Sequence, residues 1–388
     1  FLAAFATSEL LFPLLFPWYY AATVHQVPVL LQTAELGGPI LVGLLLTAAN
    51  LGLAEPLLAR LERRPTRWKA VVVLVLPLAL AAAWGALRIG QIDQRVAHAE
   101  KLEVGTVQAN MSLEGKRQDK NEGLRRHLDG TKKLLAEGPL DLVVWSETSV
   151  MRMVDEEDAE EIYGRLVTRK LGVPALFGAV LVRPVKDARE YVLFNSALLS
   201  DASGKLVGRF DKQFLLAFGE YLPLGELFPV LYEWSPNSGR FTPGTSTKPV
   251  YLNGKGIAVL ICYEDIIPAF VNDVMKGGEA GLLVNMTNDA WFGDTTEPWI
   301  HLALAKLRAI EQRRFLVRST NSGVSAFVDP VGRVLGHTGT FREETLRASV
   351  RWMTGGTLYR ALSNWPWRLL AVLTLVAAFV ARRRTPSA

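Results

Sequence analysis

Two patterns of apolar residues share this chain. Residues 1–90 and 365–381 are almost continuously apolar, whereas residues 100–355 break into short apolar runs between polar and charged segments. Ala70 to Leu87 is an uncharged run of about eighteen residues, near the minimum for a helix that spans a bilayer. Gly38 to Leu58 comes close to it, with Glu55 near its end. Residues 2–24 are apolar around Glu9, with Pro13 and Pro17 interrupting, and predict a span or a kinked hairpin partly outside the hydrocarbon. An acid in such a setting faces protein, so Glu9 is a candidate buried polar contact. Leu369 to Ala381 is short, and Trp365 and Trp367 extend it as interfacial anchors.

Between these zones, strand and helix patterns alternate. Apolar runs predict strands at Leu142–Trp145, Leu176–Val182, Leu193–Leu199, Gly256–Ile261, Leu316–Arg318 and Val324–Val328. Helices are predicted over Asn121–Ala136, over Asp155–Lys170 with its acidic start, and from about Pro268. Pro298–Arg314 carries Ile300, Leu304, Leu307 and Ile310 at helical spacing, which turns one face inward. This alternation predicts an α/β domain. The segment Phe214–Trp234, rich in Leu, Phe, Tyr and Pro, predicts an exposed apolar flap rather than a buried loop.

The 388 residues are long enough for more than one domain, and 21% of them are charged. A mean hydropathy of +0.18 is high for that charge content and averages over the two zones. The net charge of +5 is modest. Much of it lies in ARLERRPTRWK (Arg60, Arg63, Arg64, Arg67 and Lys69) and in the tail ARRRTPSA (Arg382, Arg383 and Arg384). Those clusters argue membrane orientation, not nucleic-acid binding. The positive-inside rule puts both in the cytoplasm and the α/β domain outside, which in a two-membrane bacterium is the periplasm.

Chemistry concentrates at three places. The only cysteine, Cys262, ends the apolar run of GIAVLICYED. A lone Cys cannot form an internal disulfide or a multi-cysteine metal site, which leaves a buried structural thiol or a nucleophile. DLVVWSETS delivers Glu147 to the end of another strand, and GRFDKQFLLAFGEYLP carries Lys212 with Glu220 eight residues on. If these strands are neighbours in one sheet, Glu147 and Cys262 converge at one edge and Lys212 enters from a loop. Glu147 can then take the thiol proton, and Lys212 can stabilise a tetrahedral oxyanion. The five histidines are scattered, and none has metal-ligand spacing with another ligand type; His301 reads as a structural polar contact. No G-x-S-x-G word supports a serine nucleophile.

These words resemble the carbon–nitrogen hydrolase (nitrilase) superfamily, and more closely its membrane-embedded apolipoprotein N-acyltransferase branch. VGTVQANMS (104–112) looks like the opening strand. VVWSET (143–148) matches W-P-E-[ST] with Ser146 in place of Pro. FNSALL (194–199) matches Y-N-[ST]. KQFLLAFGEYLP (212–223) matches the lysine word except at Leu216 and Ala217. ICYE (261–264) is the nucleophile word. NMTNDAWFGDTTEPWIHLALAKLRAIEQRR (285–314) and RSTNSGVSAFVDPVG (318–332) match almost throughout. The family carries a Trp shortly after its opening strand, which MSLEGKRQ (111–118) lacks.

The resemblance implies a four-layer α–β–β–α sandwich inserted between transmembrane helices. The implied layout is membrane helices over 1–90, a catalytic domain over 100–355, a last span over 365–381 and a basic cytoplasmic tail over 382–388. Implied roles are Glu147 as general base, Lys212 as oxyanion stabiliser and Cys262 as acyl-accepting nucleophile. Glu220, Tyr263 and Glu264 support them, and Trp291 lies near the substrate. A membrane phospholipid would donate the acyl chain to an apolipoprotein amine, in a bacterial inner-membrane monomer that needs no metal or organic cofactor. Alternatives are a membrane-tethered amidase or an inactive scaffold, the latter opposed by the joint presence of Glu147, Lys212 and Cys262. The family has seven spans before the catalytic domain and one after, so with three readable here the chain would lack roughly the first four.

Overall fold

The structure is a computed structural model that describes residues 1–112, 119, 121–184, 191–235 and 238–384. Residues 113–118 of the stretch without the Trp, and the basic tail beyond residue 384, lie outside the described residues. Helix α1 (Leu2–Leu11) stops before the Pro13 and Pro17 segment. Its Glu9 accepts the Tyr20 backbone N–H at 2.6 Å, the polar contact expected of it. Residues 2–24 therefore form a ten-residue helix, an irregular stretch and a 3-10 turn at Tyr20–Val24, and no single span.

Helices α2 (Ala34–Leu61) and α3 (Trp68–His98) follow as an antiparallel pair, and with the last helix, from Trp365, they are the three among the described residues that are long and apolar enough to cross a membrane. α3 shows Val72, Val73, Leu76 and Leu80 to the outside, as a lipid-facing surface would. α2 is kinked at Gly37 and Gly38. Gly38 has φ +69°, and a Cβ there would lie 2.5 Å from the Tyr359 ring, so glycine is required twice over. The Gly37 carbonyl freed by the kink accepts the Trp367 indole N–H at 2.7 Å.

The remaining elements form two sheets. β1 (Lys101–Gln108), α4 (Glu122–Glu137), β2 (Leu142–Trp145), β3 (Val150–Asp155), α5 (Ala159–Leu166), β4 (Ala175–Pro184), β5 (Tyr191–Ser200) and β6 (Leu206–Asp211) come first. They are followed by β7 (Val250–Leu252), β8 (Lys255–Ile261), α6 (Pro268–Lys276), β9 (Leu282–Thr287), α7 (Glu297–Gln312), β10 (Phe315–Thr320), β11 (Ala326–Val328), β12 (Val334–His337), β13 (Glu344–Arg351) and α8 (Trp365–Arg384). The first sheet runs β13-β1-β2-β4-β5-β6, with β3 also on β4; the second runs β12-β11-β10-β9-β8-β7. Where one helix was expected over 155–170, β3 occupies its start and α5 ends at Leu166. Val150 and Val154 are buried in β3 while Arg152 and Met153 between them are exposed, and the register on β4 shifts between Val150 and Met153, so the strand lacks the simple alternation by which a sequence shows one.

The sheets pack face to face, joined by Ser319 Oγ donating to the Val144 carbonyl at 3.0 Å and Thr320 Oγ1 donating to Gln108 at 2.8 Å. With helices outside each sheet this is the expected four-layer α–β–β–α arrangement. α6 and α7 each carry Pro in the first turn, where its missing N–H costs nothing. One apolar core runs without a break from Ala6, Ile40 and Leu46 into Leu260, Val284 and Ile310. Polar ties reinforce that seam. Buried Arg313 donates to Glu35 at 2.5 Å and to Gln32 at 2.7 Å, and Arg88 shares Glu35 at 2.6 Å.

Candidate active site

Cys262 stands at the C-terminal end of β8 with φ +57°. A left-handed residue that is not glycine costs roughly 1–2 kcal/mol, and here it turns the chain out of the strand and presents the side chain at the sheet edge. Glu147 stands beyond the C-terminal end of β2, and the next residue, Thr148, has φ +47°. Gly178 of β4 lets this turn lie close, since a Cβ there would meet the Thr148 nitrogen at 2.3 Å. Lys212 directly follows β6. β2 and β6 belong to the first sheet and β8 to the second. The one-sheet expectation is thus corrected: the acid and the thiol meet across the sandwich, because β2 pairs with β1 and β4 whereas β8 pairs with β7 and β9.

Lys212 is fully buried. Its Nζ lies 3.1 Å from Glu147 Oε1 and 2.7 Å from Glu220 Oε2. Burial opposes the ammonium charge, but Cys262, Glu147 and Glu220 together raise Lys212 well above the ordinary lysine range. Asn195 Nδ2 bridges the two carboxylates, donating to Glu147 at 2.8 Å and to Glu220 at 2.7 Å. Its signal was the FNS word, which sequence reasoning matched without assigning the residue a role. Glu220 also accepts the Leu216 N–H at 2.8 Å, which holds the segment where Leu216 and Ala217 depart from the family word.

Burial, then the Glu147 carboxylate, push the Cys262 thiol well above its ordinary range, while Lys212 pulls it down. The resting sulfur is therefore a protonated thiol beside a charged ammonium. For such a thiol to act as a nucleophile, a base would have to remove its proton.

The other expected residues also gather here. The Tyr263 hydroxyl donates to the Leu215 carbonyl at 3.1 Å, and its ring meets Phe16 edge-on at 5.4 Å. Glu264 is fully buried; burial lifts its carboxyl to about 7 against the pull of the Ile261, Gln213 and Phe214 backbone N–H groups. Trp291 is half exposed at the rim. With Phe16, Leu216, Phe292, Glu297 and His301 it lines the pocket over Cys262, a cavity of about 10 Å³, close to the room one water needs. Phe16, from the segment after α1, had no signal in the sequence. A larger groove of about 940 Å³ by Arg95 and Lys255 lies at the opposite end of β8, away from the thiol. In the expected flap Phe218, Leu224, Leu227, Phe228 and Trp234 are exposed, while Leu215 and Leu222 are buried against the domain.

Beneath Cys262 is a charged network that the sequence did not reveal. Arg318 donates to Asp265 at 2.7 Å, to Asp289 at 3.1 Å and to Asn285 at 2.7 Å, and Asn285 donates to the Cys262 carbonyl at 2.9 Å. His301 lies between the same two acids, 2.8 Å from Asp265 and 3.2 Å from Asp289. Burial and Arg318 oppose the imidazolium charge, but Asp265 and Asp289 lift His301 to about 9. Asp289, Glu297 and His301 each have one potential metal-ligating atom, and these atoms lie within 4.8 Å of one another. Both Asp289 oxygens and both His301 nitrogens are already engaged, so the cluster works as an ion network and His301 as the polar contact expected of it.

Residues 103–357 match the carbon-nitrogen hydrolase family. The chain is 31% identical over 377 residues to the apolipoprotein N-acyltransferase of Geobacter metallireducens, covering 95% of this chain and 71% of that one. It is 34% identical over 375 residues to the apolipoprotein N-acyltransferase of Azotobacter vinelandii, covering 95% and 69%. Among solved structures, Saccharomyces cerevisiae Nit3, a member of branch 10 of the nitrilase superfamily, superposes with TM-score 0.51 at 19% identity over 65% of this chain and 90% of that one. That likeness concerns the fold.

Proposed function

We propose that this chain, which belongs to the carbon–nitrogen hydrolase family and within it to the apolipoprotein N-acyltransferases, carries a fatty acyl group on Cys262 between a phospholipid and a lipoprotein amine. It is an acyltransferase of lipoprotein biosynthesis. Cys262 attacks an ester carbonyl of a membrane phospholipid, and Glu147 takes the thiol proton and returns it to the departing lyso-phospholipid. Lys212 stabilises the oxyanion. The thioester is then attacked by the N-terminal amine of a diacylglyceryl-cysteine, and an amide forms. One triad serves both steps, so the kinetics are ping-pong.

The observation that carries this reading is the buried Lys212 ammonium, held between the Glu147 and Glu220 carboxylates beside a protonated Cys262. A preorganised cation in a dry site stabilises developing negative charge far better than it would in water. The cavity over the thiol is too small for an acyl chain, so Phe16, Leu216, Trp291 and Phe292 must part to admit one. Their apolar side chains also keep water from the thioester, as amide formation requires. The exposed flap suits a lipid surface. Residues 1–90 and 365–381 anchor the catalytic residues 100–355 in a bacterial inner membrane, facing the periplasm.

Mass spectrometry of the peptide bearing Cys262, after incubation with phospholipid alone, tests this reading. An acyl mass on that peptide, absent in Cys262→Ser, is the expected result. Amide hydrolysis without phospholipid, and no acyl mass, would overturn it in favour of an amidase.

A further inference from the structure

Transfer to an amine leaves one proton over. In the first half-reaction the thiol proton departs with the lyso-phospholipid. In the second the acceptor arrives as an ammonium, because an α-amino group titrates near about 7.7–8.0. It must lose one proton to become a nucleophile and another as the amide forms. Glu147 can deliver one of them to the Cys262 sulfur as the C–S bond breaks. The other needs a second acceptor close to the same sulfur.

Glu297 meets that need. It lies in the first turn of α7, half-buried, and lines the Cys262 pocket. Its Oε2 is buried without a hydrogen-bond partner among the described residues. The other oxygen, Oε1, lies 4.0 Å from His301 Nδ1, which already faces Asp289. A helix N-terminus favours an acid, but that does not explain an unbonded carboxylate oxygen buried beside Phe16, Trp291 and Phe292, which is costly. Burial lifts the carboxyl to about 7; His301 and Arg318 pull it down, and Asp289 and Asp265 push it up. Such a group can take a proton from an α-ammonium and give it up again.

We propose that the free carboxylate oxygen of Glu297 binds the incoming α-ammonium beside the Cys262 thioester and takes the first of its two protons. This rests on the acyl-transfer reading above. The carboxylate becomes a carboxyl as the ammonium becomes an amine. The amine nitrogen bonds to the acyl carbon, the C–S bond breaks, and the second N–H proton reaches sulfur through Glu147. The Glu297 proton leaves to solvent with the product. Water has no charge for this carboxylate to pair with, so Glu297 also favours aminolysis over hydrolysis.

The test uses the full chain in lipid nanodiscs, loaded with phospholipid and then mixed with a diacylglyceryl-cysteine peptide. Acyl-Cys262 is followed by mass spectrometry in the wild type, Glu297→Gln and Glu297→Asp. Glu297→Gln should accumulate acyl-enzyme and transfer about 100-fold or more slowly at pH 6.5, the scale of general-base loss. The deficit should shrink toward pH 9 as the acceptor loses its own proton, and Glu297→Asp should recover part of the rate. His301, Asp265, Asp289 and Arg318 face Glu297 in all three proteins, so the wild-type-to-variant ratio removes their titration. Equal transfer rates and pH profiles would overturn the inference, as would loss of acyl-enzyme formation in both variants. Absence of an acyl mass in the wild type would overturn the acyl-transfer reading itself, and this inference with it.

Discussion

The Glu264 carboxylate, two residues beyond Cys262, accepts the backbone N–H of Gln213, the residue after Lys212, at 2.7 Å. The same oxygen accepts the Phe214 N–H at 3.1 Å, and the other accepts the Ile261 N–H at 2.8 Å. One buried side chain therefore ties the end of β8 in the second sheet to the end of β6 in the first. It holds the loop that carries Lys212 against the turn that carries Cys262.

Glu264→Gln keeps the shape but turns one acceptor into a donor facing a backbone N–H. At least one buried donor loses its partner, at a cost of about 1–3 kcal/mol. A lower unfolding midpoint in detergent and slower acyl-enzyme formation are expected. Wild-type values for both would mean that the two loops hold their positions without this carboxylate.

Alkylation separates the roles of Glu147 and Lys212. Iodoacetamide needs thiolate but forms no oxyanion, so Glu147→Gln should slow its reaction with Cys262 strongly. Lys212→Met should slow it less, yet cut acyl transfer about 100–1,000-fold, the scale of one lost oxyanion donor. Equal alkylation rates in the wild type and Glu147→Gln would remove Glu147 from the base role.

His301 ties stability to pH. Its folded value of about 9 lies above the ordinary 6.5, so the imidazolium contributes fully below about 6.5. That contribution fades as pH rises through 9 and amounts to on the order of 3 kcal/mol. His301→Gln should be less stable than the wild type at pH 6, with the gap narrowing toward pH 9.5 in denaturant titrations. A constant gap would mean that the ring is neutral between Asp265 and Asp289.

Topology is open to a fusion experiment. A reporter active only outside the cytoplasm should work when fused near Gly204 and stay silent after Arg384. The arginine-rich segment around Arg63 and Arg64 and the basic tail favour the cytoplasmic side. The reverse pattern would separate the active site from a periplasmic acceptor.

Much of this protein was legible in local pattern. Long apolar runs, uncharged in α3 and broken only by Glu55 in α2, marked these helices, because hydropathy over a span needs no knowledge of neighbours. Apolar runs ending in Glu147 and Cys262 marked two strand ends, and the spacing of Leu304, Leu307 and Ile310 marked α7, although Ile300, expected on the same inward face, is exposed in its first turn. The flap was legible because its apolar content exceeds what one loop can bury. Motif words supplied Lys212, Glu220, Tyr263 and Glu264, whose types alone would pass for surface charge or core.

What only the tertiary structure decided is which strands face which. β2 pairs with β1 through Val104 and Leu142, and β8 with β9 through Ile257 and Leu282. Alternation along a strand is the same whichever sheet it joins, so the sequence could not say that Glu147 and Cys262 meet across two sheets. The Arg318–Asp265–His301–Asp289 network stayed hidden for the same reason: a charged residue reads as solvated until its buried partners, here up to 53 positions away, are known. Phe16 and Glu297 reach the nucleophile only because chain from either side of it folds over one pocket. Composition and periodicity are local quantities, whereas a reaction site is built from contacts between segments whose separation along the chain leaves no local trace.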